Sequence, residues 1–127
     1  MFRTFLLLSS LSALFAVMIG AFGAHGLRAS LSVEAMAIYQ TGVNYHFWHA
    51  LGIGLIALIT LHHPDNPLLK WAGWLMFFGI VLFSGSLYLL AISGVRTFGM
   101  ITPLGGSAFI TAWFLVALFA YKLPKSI

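Results

Sequence analysis

The run Tyr39-Gln40-Thr41-Gly42-Val43-Asn44-Tyr45-His46-Phe47-Trp48-His49 sets amide, phenol and imidazole groups into a chain that otherwise suits lipid. Polar side chains at membrane depth are expensive to keep, so their presence points to a task. Gly42, His46 and His49 stand at i, i+4 and i+7, and a helix carries such positions on one side, turned toward protein rather than acyl chains. His46 and His49, at i and i+3, can meet one ion, and His25 from a neighbouring helix would complete a three-nitrogen site for zinc or copper. The same imidazoles could grip haem, bond a quinone carbonyl or relay protons. Hydrolysis by a bound zinc is disfavoured, because the only acids are Glu34 and Asp65 and neither stands beside the histidines as a general base.

Further along, Ser84, Ser86, Tyr88, Thr102 and Ser107 supply hydroxyls among apolar residues, while Phe47, Trp48, Phe83 and Tyr88 offer aromatic walls. That mixture fits a pocket for a quinone or a lipid. Each polar residue also has a purely structural reading. Gln40 and Asn44 can bond across helices, the serines can bond back to their own backbone, and Tyr45 can anchor at the headgroups. His62 and His63 fall in a turn, where a solvated surface explains them.

These residues must be positioned by a membrane protein. Of 127 residues, 61% are hydrophobic and 6% charged, and the mean hydropathy is +1.04. A span takes roughly 20 apolar residues, so the chain has room for about four and for no separate soluble domain. Its six basic and two acidic residues are scattered singly, with no run able to track a phosphate backbone, so nucleic acid is not an expected partner. Cysteine is absent, which excludes disulfides, thiolate metal sites and cysteine nucleophiles. Neither a glycine-rich phosphate loop nor a nucleophile elbow is present, and no span carries the carboxylate on which proton-coupled export normally depends.

Apolar windows place the spans at 5–24, 43–61, 71–92 and 101–121. The first of these resembles a secretory signal, with Arg3 ahead of an apolar run and small residues from Ala21 to Ala24. Its length suits an uncleaved span better. Between the first two spans, Leu31, Ala35 and Ile38 at helical spacing, with Glu34 in the first turn and Ser30 as cap, predict a short interfacial helix. A helix unbroken from Leu31 to Leu61 would exceed the hydrocarbon core, so a bend or strong tilt is expected near Gly42. Pro64 and Pro67 separate the second span from the third. Small residues such as Gly20, Ala24, Gly52, Gly54, Gly105 and Gly106 permit close helix approach, within one bundle or between subunits. No internal repeat or low-complexity segment is apparent.

Four spans put both termini on one side. That side carries Arg3, Lys70, Lys122 and Lys125 against Arg28 and Arg96, so the positive-inside rule makes it cytoplasmic. On this topology His25, Asn44, His46, His49, Ser84, Ser86, Tyr88 and Thr102 gather in the outer half of the membrane, above an inner half of Leu, Ile, Val, Phe and Ala. An inner half so apolar argues against an open pore.

Gly20-Ala21-Phe22-Gly23-Ala24-His25-Gly26-Leu27, the stretch from Tyr39 to Gly52, Leu82-Phe83-Ser84-Gly85-Ser86-Leu87-Tyr88 and Ile101-Thr102-Pro103-Leu104-Gly105-Gly106 together look like the signature of one family. The chain resembles, over essentially its whole length, the bacterial family labelled domain of unknown function 423, whose animal relatives are named transmembrane protein 256. The resemblance implies a small four-span protein of the bacterial inner membrane, and it implies no particular reaction. The motifs that carry it include His25, Gln40, Asn44, His46, His49, Ser84, Ser86 and Thr102.

The expectation is therefore an all-α, integral membrane four-helix bundle with a short interfacial helix and both termini cytoplasmic. Its site candidates are His25, Gln40, Asn44, Tyr45, His46, His49, Ser84, Ser86, Tyr88 and Thr102, with His25, His46 and His49 as candidate metal ligands. The leading function is binding of a partner protein or a hydrophobic small molecule. A redox or enzyme subunit using quinone, haem or metal is the alternative, and a small carrier or channel a third. Beyond the bilayer itself, the expected partners are a second copy or another membrane protein.

Overall fold

The computed structural model describes residues 1–126. Its helices run in the order α1 (Phe2–Phe22), α2 (Val33–Thr60), α3 (Pro67–Gly79), α4 (Gly85–Ser93) and α5 (Thr102–Lys122). A π-helical turn, Gly23–Leu27, prolongs α1, another, Ile80–Ser84, joins α3 to α4, and a 3₁₀ turn, Arg96–Met100, leads into α5. The result is four candidate membrane spans, Phe2–Leu27, Val33–Thr60, Pro67–Ser93 and Arg96–Lys122. The all-α, four-span bundle expected from the apolar windows is what the chain forms, with spans several residues longer at most ends.

The interfacial helix is the exception. Residues from Val33 onward are the first turns of α2 and continue without a break through Gly42. The cap is Ser32, not Ser30: its hydroxyl oxygen accepts the Ala35 N–H at 3.1 Å, and Glu34 sits in the first turn, where its charge suits the helix N-terminus. No proline interrupts the stretch, so nothing stops the helix before membrane depth. At the other end of the span, Asn66 Oδ1 accepts the N–H groups of Leu68 and Leu69 at 3.0 and 3.3 Å, with Pro67 in the first turn of α3. That arrangement restarts the chain as a new helix.

Lacking a hydrophobic drive between helices in lipid, the bundle is held by close packing and buried polar bonds. α2 is the most buried span and packs on α1, α3 and α4, while α5 packs on α3 and the π turn after it. Phe5, Ile53, Ile56, Leu69, Met76, Phe109 and Phe119 form the apolar core. Two glycines let neighbouring helices close on the third span. A Cβ on Gly42 would stand 2.8 Å from the Tyr88 ring, and one on Gly105 would stand 2.3 Å from the main-chain nitrogen of Phe83. Only hydrogen at those two positions lets α2 and α5 lie so near the third span.

Candidate functional site

Two clefts flank the contact between α2 and the third span, and each receives one of the two central histidines. The first, of about 460 Å³, lies between α1 and the third span. It is walled by Leu8, Leu11, Phe15, Ile19, Phe77, Ile80, Val81 and Gly85, with Ser12, His46 and Tyr88 as its polar groups. The second, of about 550 Å³, lies between α2 and α5 and is lined by Tyr45, His49, Phe83, Gly106, Phe109, Ile110 and Trp113.

His49 is chemically closed. Its Nδ1 lies 2.8 Å from the Tyr45 carbonyl oxygen, which can only accept, so Nδ1 carries the proton. The Trp113 indole N–H, which can only donate, points at His49 Nε2 from 2.9 Å, so Nε2 is the acceptor. Both neighbours thus fix one neutral tautomer, and the ring stacks on Phe109 with centroids 3.5 Å apart. No nitrogen is left for a ligand.

His46 is placed differently. Its Nδ1 lies 2.9 Å from the Tyr88 hydroxyl, a group that can donate or accept, so its tautomer is not fixed from that side. The ring borders the first cleft, where the main-chain carbonyl of Ser12 is a second hydrogen-bond partner for the imidazole. Tyr88 is held in turn by packing over Gly42 and against Tyr39 at 5.3 Å between ring centroids. Tyr39 is fully buried, and its hydroxyl donates to the Ile19 carbonyl.

The π turn Ile80–Ser84 serves both clefts. Its Ile80 and Val81 wall the first, its Phe83 the second, and Ser84 Oγ donates to the Gly42 carbonyl at 2.7 Å. The wider turn shifts the register of α4 relative to α3, which brings Tyr88 over α2; such turns recur at functional sites.

The remaining candidates divide between core and surface. Ser86 and Thr102 share a 2.6 Å bond, and Ser86 also donates to the Phe83 carbonyl, which fastens α5 to the third span. Tyr45 packs on Phe83 at 4.6 Å. Gln40 and Asn44 are exposed on the outward side of α2, where the Gln40 amide N–H donates to Asn44 Oδ1 at 3.0 Å. His25 is exposed in the π turn that ends α1.

The three-histidine constellation is therefore not assembled: His25, His46 and His49 face three different surroundings. Among the described residues, no three His, Cys, Asp or Glu side chains are placed to hold one ion. His46 and His49 also do not share a face in the sense the spacing implies. Three residues along a helix turn through 300°, so the two rings diverge by about 60°, enough to send one toward α1 and the other toward α5.

The start of α2 needs correction as well. Because α2 begins at Val33 rather than Val43, His46 lies near its midpoint. Polar bonding also reaches into the half of the bundle nearer the termini. Ser9 Oγ donates to the Ala50 carbonyl at 2.7 Å and Thr60 Oγ1 to the Ala57 carbonyl at 2.6 Å. Ser12 and Trp113 were missed in the sequence. Ser12 carries a signal in hindsight, since Phe5, Ser9, Ser12 and Ala16 recur at helical spacing and form the buried side of α1. Trp113 carries one too, since it stands well inside the 101–121 window, where an indole N–H needs an acceptor. Among the described residues, no buried side-chain nitrogen or oxygen lacks a hydrogen-bond partner.

Comparison with known proteins places the chain. A family model described as protein of unknown function (DUF423) matches residues 19–106. The UPF0382 membrane protein YwdK of Bacillus subtilis is 45% identical over 120 residues, covering 94% of this chain and 98% of its own length. A UPF0382 membrane protein of Staphylococcus epidermidis is 47% identical over 120 residues, covering 94% and 97%. One from Staphylococcus saprophyticus is 41% identical over 121 residues, covering 95% and 99%. No solved structure matches. On the family model and these full-length relatives together, the chain belongs to the DUF423 family, and it is a membrane protein.

Proposed function

We propose that this protein is a non-enzymatic membrane protein that binds a lipophilic small molecule in the cleft between α1 and the third span. His46 and Tyr88 recognise a carbonyl or hydroxyl group of the ligand. The supporting observation is the contrast between the histidines: His49 has both nitrogens engaged within the bundle, whereas His46 borders an apolar cleft with a hydroxyl as its Nδ1 partner.

The Tyr88 hydroxyl makes this recognition adaptable. When it donates to Nδ1, the proton of His46 sits on Nε2, and a ligand carbonyl takes that N–H by replacing the main-chain carbonyl of Ser12. When it accepts from Nδ1–H, Nε2 is bare and accepts from a ligand hydroxyl. Apolar walls with few placed polar groups are the usual make-up of a small-molecule site. Quinones and long-chain alcohols both belong to the class described.

The bundle sits in the cytoplasmic membrane with both termini in the cytoplasm. Arg3, Lys70, Lys122 and Lys125 lie on the terminal side and Arg28 and Arg96 on the other, and the excess of positive charge faces inward.

The test is ¹⁵N NMR of histidine-labelled protein in nanodiscs, titrated with a short-chain quinone and with decanol. The expected result is a saturable shift of the His46 signals by at least one probe, with the His49 signals unmoved. Unchanged His46 signals with both probes, or movement of His49 alone, would overturn the assignment.

A further inference from the structure

We infer that the outward face of α2 around Gln40 and Asn44 is a pairing surface for a second copy of this chain. The face is separate from both clefts. It runs along the exposed positions Ala37, Gln40, Thr41, Asn44, Trp48, Leu51, Leu55 and Leu58, none of which borders the His46 cleft.

Depth makes the two amides unusual. From Glu34 to Asn44 the helix advances about 15 Å at 1.5 Å per residue, beyond the roughly 5–7 Å of headgroup region on each side of the hydrocarbon. Asn44 therefore faces acyl chains, and Gln40 lies at their edge. The outward hydroxyls at comparable positions all bond back to their own helices. Ser10 donates to the Leu6 carbonyl, Thr41 to Ala37, Ser107 to Pro103 and Thr111 to Ser107. The amides cannot close in this way. After the Gln40 to Asn44 bond, the pair still holds the Gln40 carbonyl oxygen, one Gln40 N–H and both Asn44 N–H groups. Lipid can satisfy none of them.

The occupant follows from what is left over. The surplus combines an acceptor with donors on one small patch, so the patch is complementary to itself. Two copies related by a two-fold axis along the membrane normal bring the same amides face to face, each donating to the other's carbonyl oxygen. A single Asn on a helix-pairing face sets register in the same manner. A foreign partner would need a matching donor and acceptor of its own, whereas a second copy brings them by symmetry.

The chain has no cysteine, which makes a crosslinking test clean. Thr41→Cys protein, purified and diluted into liposomes, is oxidised and the linked fraction measured. Leu14→Cys, on the exposed face of α1, is the reference. The expected result is at least tenfold more linked pair from Thr41→Cys. That excess should fall at least tenfold when Gln40→Leu and Asn44→Leu are added, with helical content by circular dichroism unchanged. Equal linking from the two cysteines, or linking unaffected by the two leucines, would overturn the inference. Linking of Thr41→Cys to a different protein in native membranes, with none in liposomes, would overturn it in favour of a foreign partner.

Discussion

The two central histidines differ in what their hydrogen bonds permit, and the difference is testable side chain by side chain. Trp113→Phe removes the only donor that His49 Nε2 has while keeping most of the ring volume. It should destabilise the bundle by about 1 kcal/mol, the scale at which single buried hydrogen bonds act in membrane helices. Trp71→Phe, at a residue 62% exposed, is the control and should leave unfolding in mixed micelles nearly unchanged. A Trp113→Phe variant as stable as the parent would mean that the His49 tautomer is held by Tyr45 and Phe109 alone. That some imidazoles in this stretch are buried was legible in the sequence, because a polar residue inside an apolar span must face protein. Which histidine is closed was not legible. The answer depends on Trp113, which is distant along the chain, and nothing in its position shows which imidazole its indole meets.

The helices themselves were legible to the extent that apolar length defines them. Four apolar windows became four spans, and the prolines between the second and third mark a true break. The errors came from features without a sequence period. The length of α2 calls for a bend or a strong tilt; the helix runs unbroken through Gly42, and the glycine there serves the close approach of Tyr88. The π turn at Ile80–Ser84 leaves no composition signal at all. Glycines that look alike in the sequence also separate sharply once packed. Gly105→Ala forces a methyl group against the main chain of Phe83, which cannot yield as a side-chain tip would, and should cost about 3 kcal/mol. Gly85 has helical dihedrals, φ −59 and ψ −44, and nothing within 4 Å of an added Cβ. Gly85→Ala should therefore be neutral or stabilising by up to about 1 kcal/mol, from helix propensity. Unfolding curves for the two variants in one micelle system check both signs together.

At the scale of the molecule, the proposed orientation predicts that reporters fused at either terminus are active only in the cytoplasm. A periplasmic C-terminus would reverse which end of the bundle is outermost without moving the clefts. Both clefts would still lie on opposite sides of the seam between α2 and the third span. The central claim is that the one beside His46 holds a lipophilic molecule. Because Gly85 lines that cleft and an added Cβ there meets nothing within 4 Å, Gly85→Leu fills the site from a wall without replacing His46 or Tyr88. The most direct measurement is native mass spectrometry of the parent and of Gly85→Leu, each released from its own membranes in nanodiscs. The account predicts a stoichiometric adduct of one mass on the parent and its loss from the equally well-folded Gly85→Leu variant. Bare parent protein, or an adduct retained undiminished by Gly85→Leu, would contradict it.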